Sequence, residues 1–131
     1  MTTDVLIVIA AAVVQDGRLL VVSKQAAPDV FYLPGGKPEP GEAPLETLAR
    51  EMHEELGVTP YKPKFLATVE NQAALENQWM QMTVYAVELQ QVPQPAAELA
   101  DLRWITSEDG LNVAPAVREQ VLPLLRDGLA S

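Results

Sequence analysis

The chain has 131 residues, 48% apolar and 21% charged, which suits one globular domain and excludes a disordered chain. It contains no cysteine, so disulfides, thiolate metal sites and a cysteine nucleophile are ruled out. A net charge of −9 sets the surface against polyanions, and duplex DNA or RNA is not an expected partner.

Residues 5–14 are rich in Val, Ile and Ala. No basic stretch precedes them and the run is too short for a bilayer, so it predicts a buried strand. The expectation is a soluble, cytoplasmic protein with no membrane partner. Asp16-Gly17 is a hairpin turn signal, and the apolar run 19–23 is expected to pair with the first. Residues 26–29 read as a loop. Phe31, Tyr32 and Leu33 read as a short strand ending at Pro34-Gly35-Gly36.

Residues 37–43 are broken by Pro and Gly. Pro44 suits the first position of a helix and Gly57 its C-terminal cap. Between them Leu45, Leu48, Met52 and Leu56 recur at spacings of three and four, a stripe that packs on a core. Residues 65–70 and 79–89 predict two strands joined by a polar segment. The second alternates Met80, Met82 and Val84 with Gln81, Thr83 and Tyr85, as in a sheet with two different faces. Residues 91–97 form a loop and 102–106 a short strand. Residues 115–126 predict a C-terminal helix with Val117, Val121, Leu124 and Leu125 inward, kinked or shortened by Pro123. There is no repeat and no linker. Strands mixed with two helices predict one α/β domain over 1–131, a sandwich around one mixed sheet.

On the helix that opens at Pro44, Glu51, Glu54 and Glu55 occupy an arc beside the apolar stripe. Three carboxylates there repel one another and give the helix nothing. A divalent cation is the natural counter-charge, and hard oxygen ligands suit Mg²⁺ or Mn²⁺. Such an ion serves phosphoryl chemistry by neutralising pyrophosphate and activating water. The glycines just upstream let backbone approach metal and substrate closely.

From Gly36, five residues lead to Glu42, and seven more to Arg50-Glu51-Met52-His53-Glu54-Glu55-Leu56-Gly57-Val58. This arrangement resembles the Nudix box at every defining position, and Tyr32-Leu33-Pro34-Gly35-Gly36 is similar to the family's entry into it. The resemblance implies an α/β/α sandwich with a central mixed β-sheet. It implies Mg²⁺-dependent hydrolysis of a nucleoside diphosphate linked to a group X, with Mn²⁺ as a substitute. It implies metal binding by Glu51, Glu54, Glu55 and the Gly36 carbonyl, with Arg50 and Glu42 orienting the glutamates. The base is a box glutamate in some members and a later-loop glutamate in others. Glu98, six residues before Trp104 as in the MutT-like branch, is the candidate here, in competition with Glu70 and Glu76.

A MutT-like nucleoside triphosphate pyrophosphohydrolase fits the short chain. An ADP-sugar or dinucleoside polyphosphate hydrolase is the alternative, and a non-catalytic nucleotide-binding module is a third reading. The expected partner is a small nucleotide, and a homodimer fits the family. His53, at a variable position away from the glutamate arc, is expected to be passive. Lys24 and Lys37 are surface lysines or phosphate ligands. Tyr32, Trp79, Met80 and Met82 belong to the core or to a nucleobase pocket.

Overall fold

A computed structural model describes residues 4–129. The strands are β1 (Leu6–Ala12), β2 (Val14–Gln15), β3 (Arg18–Lys24), β4 (Ala27–Tyr32), β5 (Gly35–Gly36), β6 (Tyr61–Gln72), β7 (Trp79–Glu88) and β8 (Leu99–Ile105). Helix α1 spans Pro44–Leu56. At the C-terminus a wide π turn, Val117–Val121, leads into the short helix α2, Leu122–Leu125.

One sheet runs β5-β1-β7-β6. It is mixed, because β1 and β7 are parallel while β5 and β6 are antiparallel to their neighbours. The second sheet is antiparallel and centres on β3, which pairs with β2, β4 and β8. Two cores lie on opposite sides of these strands. Ala10 and Ala12 of β1 and Leu19 and Val21 of β3 face one core, with Val117, Val121 and Leu122 of the C-terminal segment. Ile9, Ala11, Leu20 and Val22 face the other, with Leu48, Met52 and Leu56 of α1. This is the expected α/β/α sandwich, produced by the two-residue alternation of strands. Burying the three α1 side chains is worth roughly 1.5–3 kcal/mol each.

The expected helix bounds hold. The Ala43 N–H donates to Glu46 Oε1 at 2.9 Å, and Gly57, at φ 67°, closes the helix by donating to the His53 carbonyl at 3.0 Å. This is the left-handed cap that glycine adopts without strain. Leu45 is a correction to the predicted stripe. It is 47% exposed, and the fully buried Thr47 faces inward nearby.

The Asp16-Gly17 turn forms as expected, with Val14 opposite Leu19. The long first run, however, divides. Its bulk, β1, lies in the other sheet, and only β2 pairs with β3. Residues 27–29 are strand rather than loop, since β4 pairs through Ala27 and Tyr32 with β3. β6 begins at Tyr61 and β8 at Leu99, both earlier than expected. At the C-terminus Leu122 is buried in place of Leu124, which is 54% exposed. Pro123 cannot donate a backbone hydrogen bond, and the π turn directly before it rotates the face.

β6 is an edge strand interrupted twice. Its register shifts between Tyr61 and Lys64 and again between Phe65 and Ala67, and Lys62 stands at φ 50° before Pro63. No helix among the described residues is long and apolar enough to cross a membrane.

Candidate active site

The apolar face of α1 fixes the direction of its acidic face. Arg50 stands at the centre of that face. Its Nε and Nη2 donate to the two oxygens of Glu42 at 2.8 and 2.9 Å. Nη1 donates to Glu51 Oε1 at 2.7 Å, and Nη2 also reaches the Lys37 carbonyl at 3.0 Å. Glu39 lies 2.9 Å from Nε and Glu54 3.5 Å from Nη1. One guanidinium therefore meets four carboxylates. Glu42 further accepts from the Thr47 hydroxyl at 2.7 Å and the Glu39 N–H at 3.0 Å. Hydrogen bonds from Arg50, then from Glu39 and Thr47, hold the Glu42 carboxyl down at about 2.

Glu55 is placed differently. It is 3% exposed, and its Oε1 accepts the Gly35 N–H at 3.2 Å. Burial pushes its carboxyl up to about 8, and the Glu51 and Glu98 charges add to this against Gly35 and Lys24. Burial likewise raises Glu51, opposed by Arg50. A buried carboxylate with like charges nearby and one hydrogen bond invites a cation.

The two glycines before the loop are geometric requirements. A Cβ on Gly36 would occupy the space of the Glu51 carboxylate. Gly35 has φ 147°, and a Cβ there would strike the Ile9 carbonyl. β5 is thus pressed between β1 and the acidic face of α1.

These groups open on a cavity of about 360 Å³. Gly36, Arg50, Glu51, Glu55 and Glu98 all border it. Lys24 lies on its wall 3.7 Å from Glu98, and Lys37 lies 3.5 Å from Glu76. Tyr32, Met80 and Met82 border it too. The Tyr32 hydroxyl is buried and has no hydrogen-bond partner among the described residues. Burial first, then Glu55, Glu98 and Glu51, raise its pKa.

Glu54 stands apart from the cavity wall, half exposed and turned to Arg50. Among the described residues no three acidic or histidine side chains converge on one coordination point; the glutamates converge on Arg50 instead. His53 is exposed. Trp79 is a correction to the core or nucleobase reading. It is 44% exposed and its Nε1 donates to Glu70 at 3.0 Å, so both residues lie off the cavity. Sequence reasoning missed Glu39, Thr47 and the cavity wall supplied by Ala116 and Val117. Thr47 carried a signal as a polar residue between apolar helix positions. Val117 carried one as an inward position of the predicted C-terminal helix, and Ala116 carried none.

The NUDIX domain family matches residues 5–125. Diphosphoinositol polyphosphate phosphohydrolase 2 of Rattus norvegicus is 41% identical over 58 residues, which are 44% of this chain and 32% of that protein. CTP pyrophosphohydrolase of Escherichia coli (strain K12) is 34% identical over 64 residues, 47% of each chain. The matches thus span a third to a half of these relatives. The crystal structure of the MutT NUDIX hydrolase from Burkholderia pseudomallei has a similar fold, with a TM-score of 0.73 at 23% identity over 97% of this chain and 99% of that one.

Proposed function

The chain belongs to the NUDIX family, and from that membership we propose that it is a Mg²⁺-dependent hydrolase of the pyrophosphate bond in nucleoside diphosphates linked to a group X, with nucleoside triphosphates as first substrates. The observation that carries this reading is the meeting of two carboxylate environments at one cavity. Arg50 holds Glu51 at its rim, and Glu55 sits buried behind Gly35–Gly36.

Glu51, Glu55 and the Gly36 carbonyl border the cavity with the hard oxygen donors that a divalent cation takes, and Glu54 would join them by leaving Arg50. When bound the cation supplies charge neutralisation for the pyrophosphate and a more acidic water. Arg50 orients Glu51 and Glu54 from behind, with its own orientation fixed by Glu42. Lys24 and Lys37 offer positive charge on the cavity wall for phosphate oxygens. Glu98, exposed and only loosely paired with Lys24, is free to take the proton from the attacking water. The water oxygen then bonds to phosphorus and the bridging P–O bond breaks.

Glu54→Gln and Glu55→Gln test the reading, because each keeps side-chain volume and removes charge. Turnover of nucleoside triphosphates is expected to fall by about two orders of magnitude or more with the fold intact by circular dichroism. Full turnover in the double variant, or in chelator, overturns it.

A further inference from the structure

Glu98 stands where two parts of the fold are tied together. On one side its loop hangs from the end of α1. The Gln94 N–H donates to the Leu56 carbonyl at 3.1 Å, and the Ala96 N–H to the Glu55 carbonyl at 2.9 Å. On the other side the Gln25 N–H donates to the carbonyl of Glu98 itself at 2.9 Å. The Gln25 Nε2 reaches the next carbonyl, that of Leu99, at 3.4 Å, and Leu99 is buried. Between these ties Ala97 is held at φ 54°, a left-handed conformation that an alanine keeps only where its surroundings enforce it. The backbone at Glu98 is thus tied to the helix that carries Glu51 and Glu55.

The Glu98 side chain is fixed by much less. It is 63% exposed, and a long exposed side chain keeps its rotamer freedom unless something holds it. Among the described residues one cation stands within ion-pair distance, the Lys24 ammonium at 3.7 Å. Lys24 has a firm base for this. Its backbone pairs with Ala27 of β4 on one side and with Leu99 of β8 on the other, and both Lys24 and Glu98 border the cavity. At 3.7 Å, beyond hydrogen-bonding distance, the ammonium attracts the carboxylate without occupying its lone pairs. It aims Glu98 and leaves both oxygens able to accept a proton.

We propose that Lys24 is a positioning residue, which holds the Glu98 carboxylate over the cavity where the attacking water lies. The proposal rests on the hydrolase reading with Glu98 as base, and it assigns Lys24 to that base rather than to phosphate. The water proton passes to the Glu98 carboxylate as the water oxygen bonds to phosphorus and the bridging P–O bond breaks.

The test measures turnover of nucleoside triphosphates with Mg²⁺ by the wild type, Lys24→Met, Lys24→Arg, Glu98→Gln and the Lys24→Met/Glu98→Gln double variant. Methionine keeps an unbranched apolar stem and removes the charge; Lys24→Gln serves if Lys24→Met does not fold. kcat is expected to fall about a hundredfold or more in Glu98→Gln, and about tenfold or more in Lys24→Met with KM unchanged. Lys24→Arg should recover most of that loss. In the Glu98→Gln background Lys24→Met should cost nothing further, because Lys24 acts through Glu98. In crystal structures of the metal-free protein, the Glu98 carboxylate should turn out of the cavity in Lys24→Met while its backbone stays on Gln25. A raised KM at wild-type kcat, losses that multiply in the double variant, or a carboxylate that stays in place overturns the proposal. Wild-type kcat in Glu98→Gln also overturns it and leaves the hydrolase reading standing. If the wild type cleaves no nucleoside triphosphate, that reading falls, and the position of Glu98 in the two structures decides the proposal.

Discussion

Arg50 and Glu42 form a two-pronged ion pair, Nε and Nη2 each meeting one carboxylate oxygen at 2.8 and 2.9 Å. With two of its nitrogens so fixed, the guanidinium has one direction left for Nη1, and that direction is Glu51. A lysine has one ammonium and cannot bridge both carboxylates with the same planar geometry. Arg50→Lys is expected to lower kcat by about 10- to 100-fold, as loss of groups behind metal ligands does. Its melting temperature should fall by only a few degrees, because the cluster is partly exposed. Steady-state kinetics beside thermal melts check this, and wild-type kcat in the variant contradicts it.

The two glycines of β5 separate stability from activity. Gly35→Ala places a Cβ against the Ile9 carbonyl at a left-handed φ, and should cost about 2 kcal/mol or more in denaturant unfolding. Gly36→Ala displaces the Glu51 carboxylate. A shift of about 1 Å at a reacting centre costs on the order of a hundredfold in rate, so activity should fall further than stability. Equal losses of activity in the two variants, after correction for the folded fraction, would contradict this division.

Glu55 gives stability a falling pH slope. Its folded value near 8 lies above its ordinary 4.5, so between these values the folded state keeps a proton that the unfolded state has released. Stability present below pH 4.5 is lost as pH rises towards 8, by up to about 4 kcal/mol. Burial moves Glu51 in the same direction. In chelator the melting temperature should therefore fall from pH 5 to pH 8. Mg²⁺ should restore more of it at pH 8 than at pH 5, since metal binding needs the carboxylate deprotonated. A melting temperature that rises over this range in chelator would refute the assignment.

Tyr32→Phe removes a buried hydroxyl that has no partner among the described residues. Leaving such a group unpaired costs about 1–3 kcal/mol, so the variant should melt at the same temperature as the wild type or higher. A clear drop in melting temperature would mean that the hydroxyl is satisfied in solution.

The helix and its acidic face were readable from the sequence because both are local. Pro44, Gly57 and the spacing of Leu48, Met52 and Leu56 mark α1 without reference to the rest of the chain. What the sequence hid depends on distant neighbours. β4 begins at Ala27, and Pro28-Asp29 looks like a turn until β3 supplies the pairing. The first apolar run looks like one strand, yet Val13 is where it passes from one sheet to the other. The same holds in the site. Glu51, Glu54 and Glu55 were legible as a group, but their unequal roles were not. Glu55 is buried against Gly35 while Glu54 is held in solvent by Arg50, and this difference comes from how β5 lies across α1.

The broken edge of β6 bears on how the protein behaves in concentrated solution. A twelve-residue strand with one unpaired side is a template on which further copies could stack into fibrils. Here the exposed first half of that strand carries Lys62, Pro63 and Lys64 and shifts register twice. The incoming strand would meet a missing donor, two charges and a twist at the place where growth must start. The chain can therefore keep a long strand at the edge of its mixed sheet and still resist polymerisation.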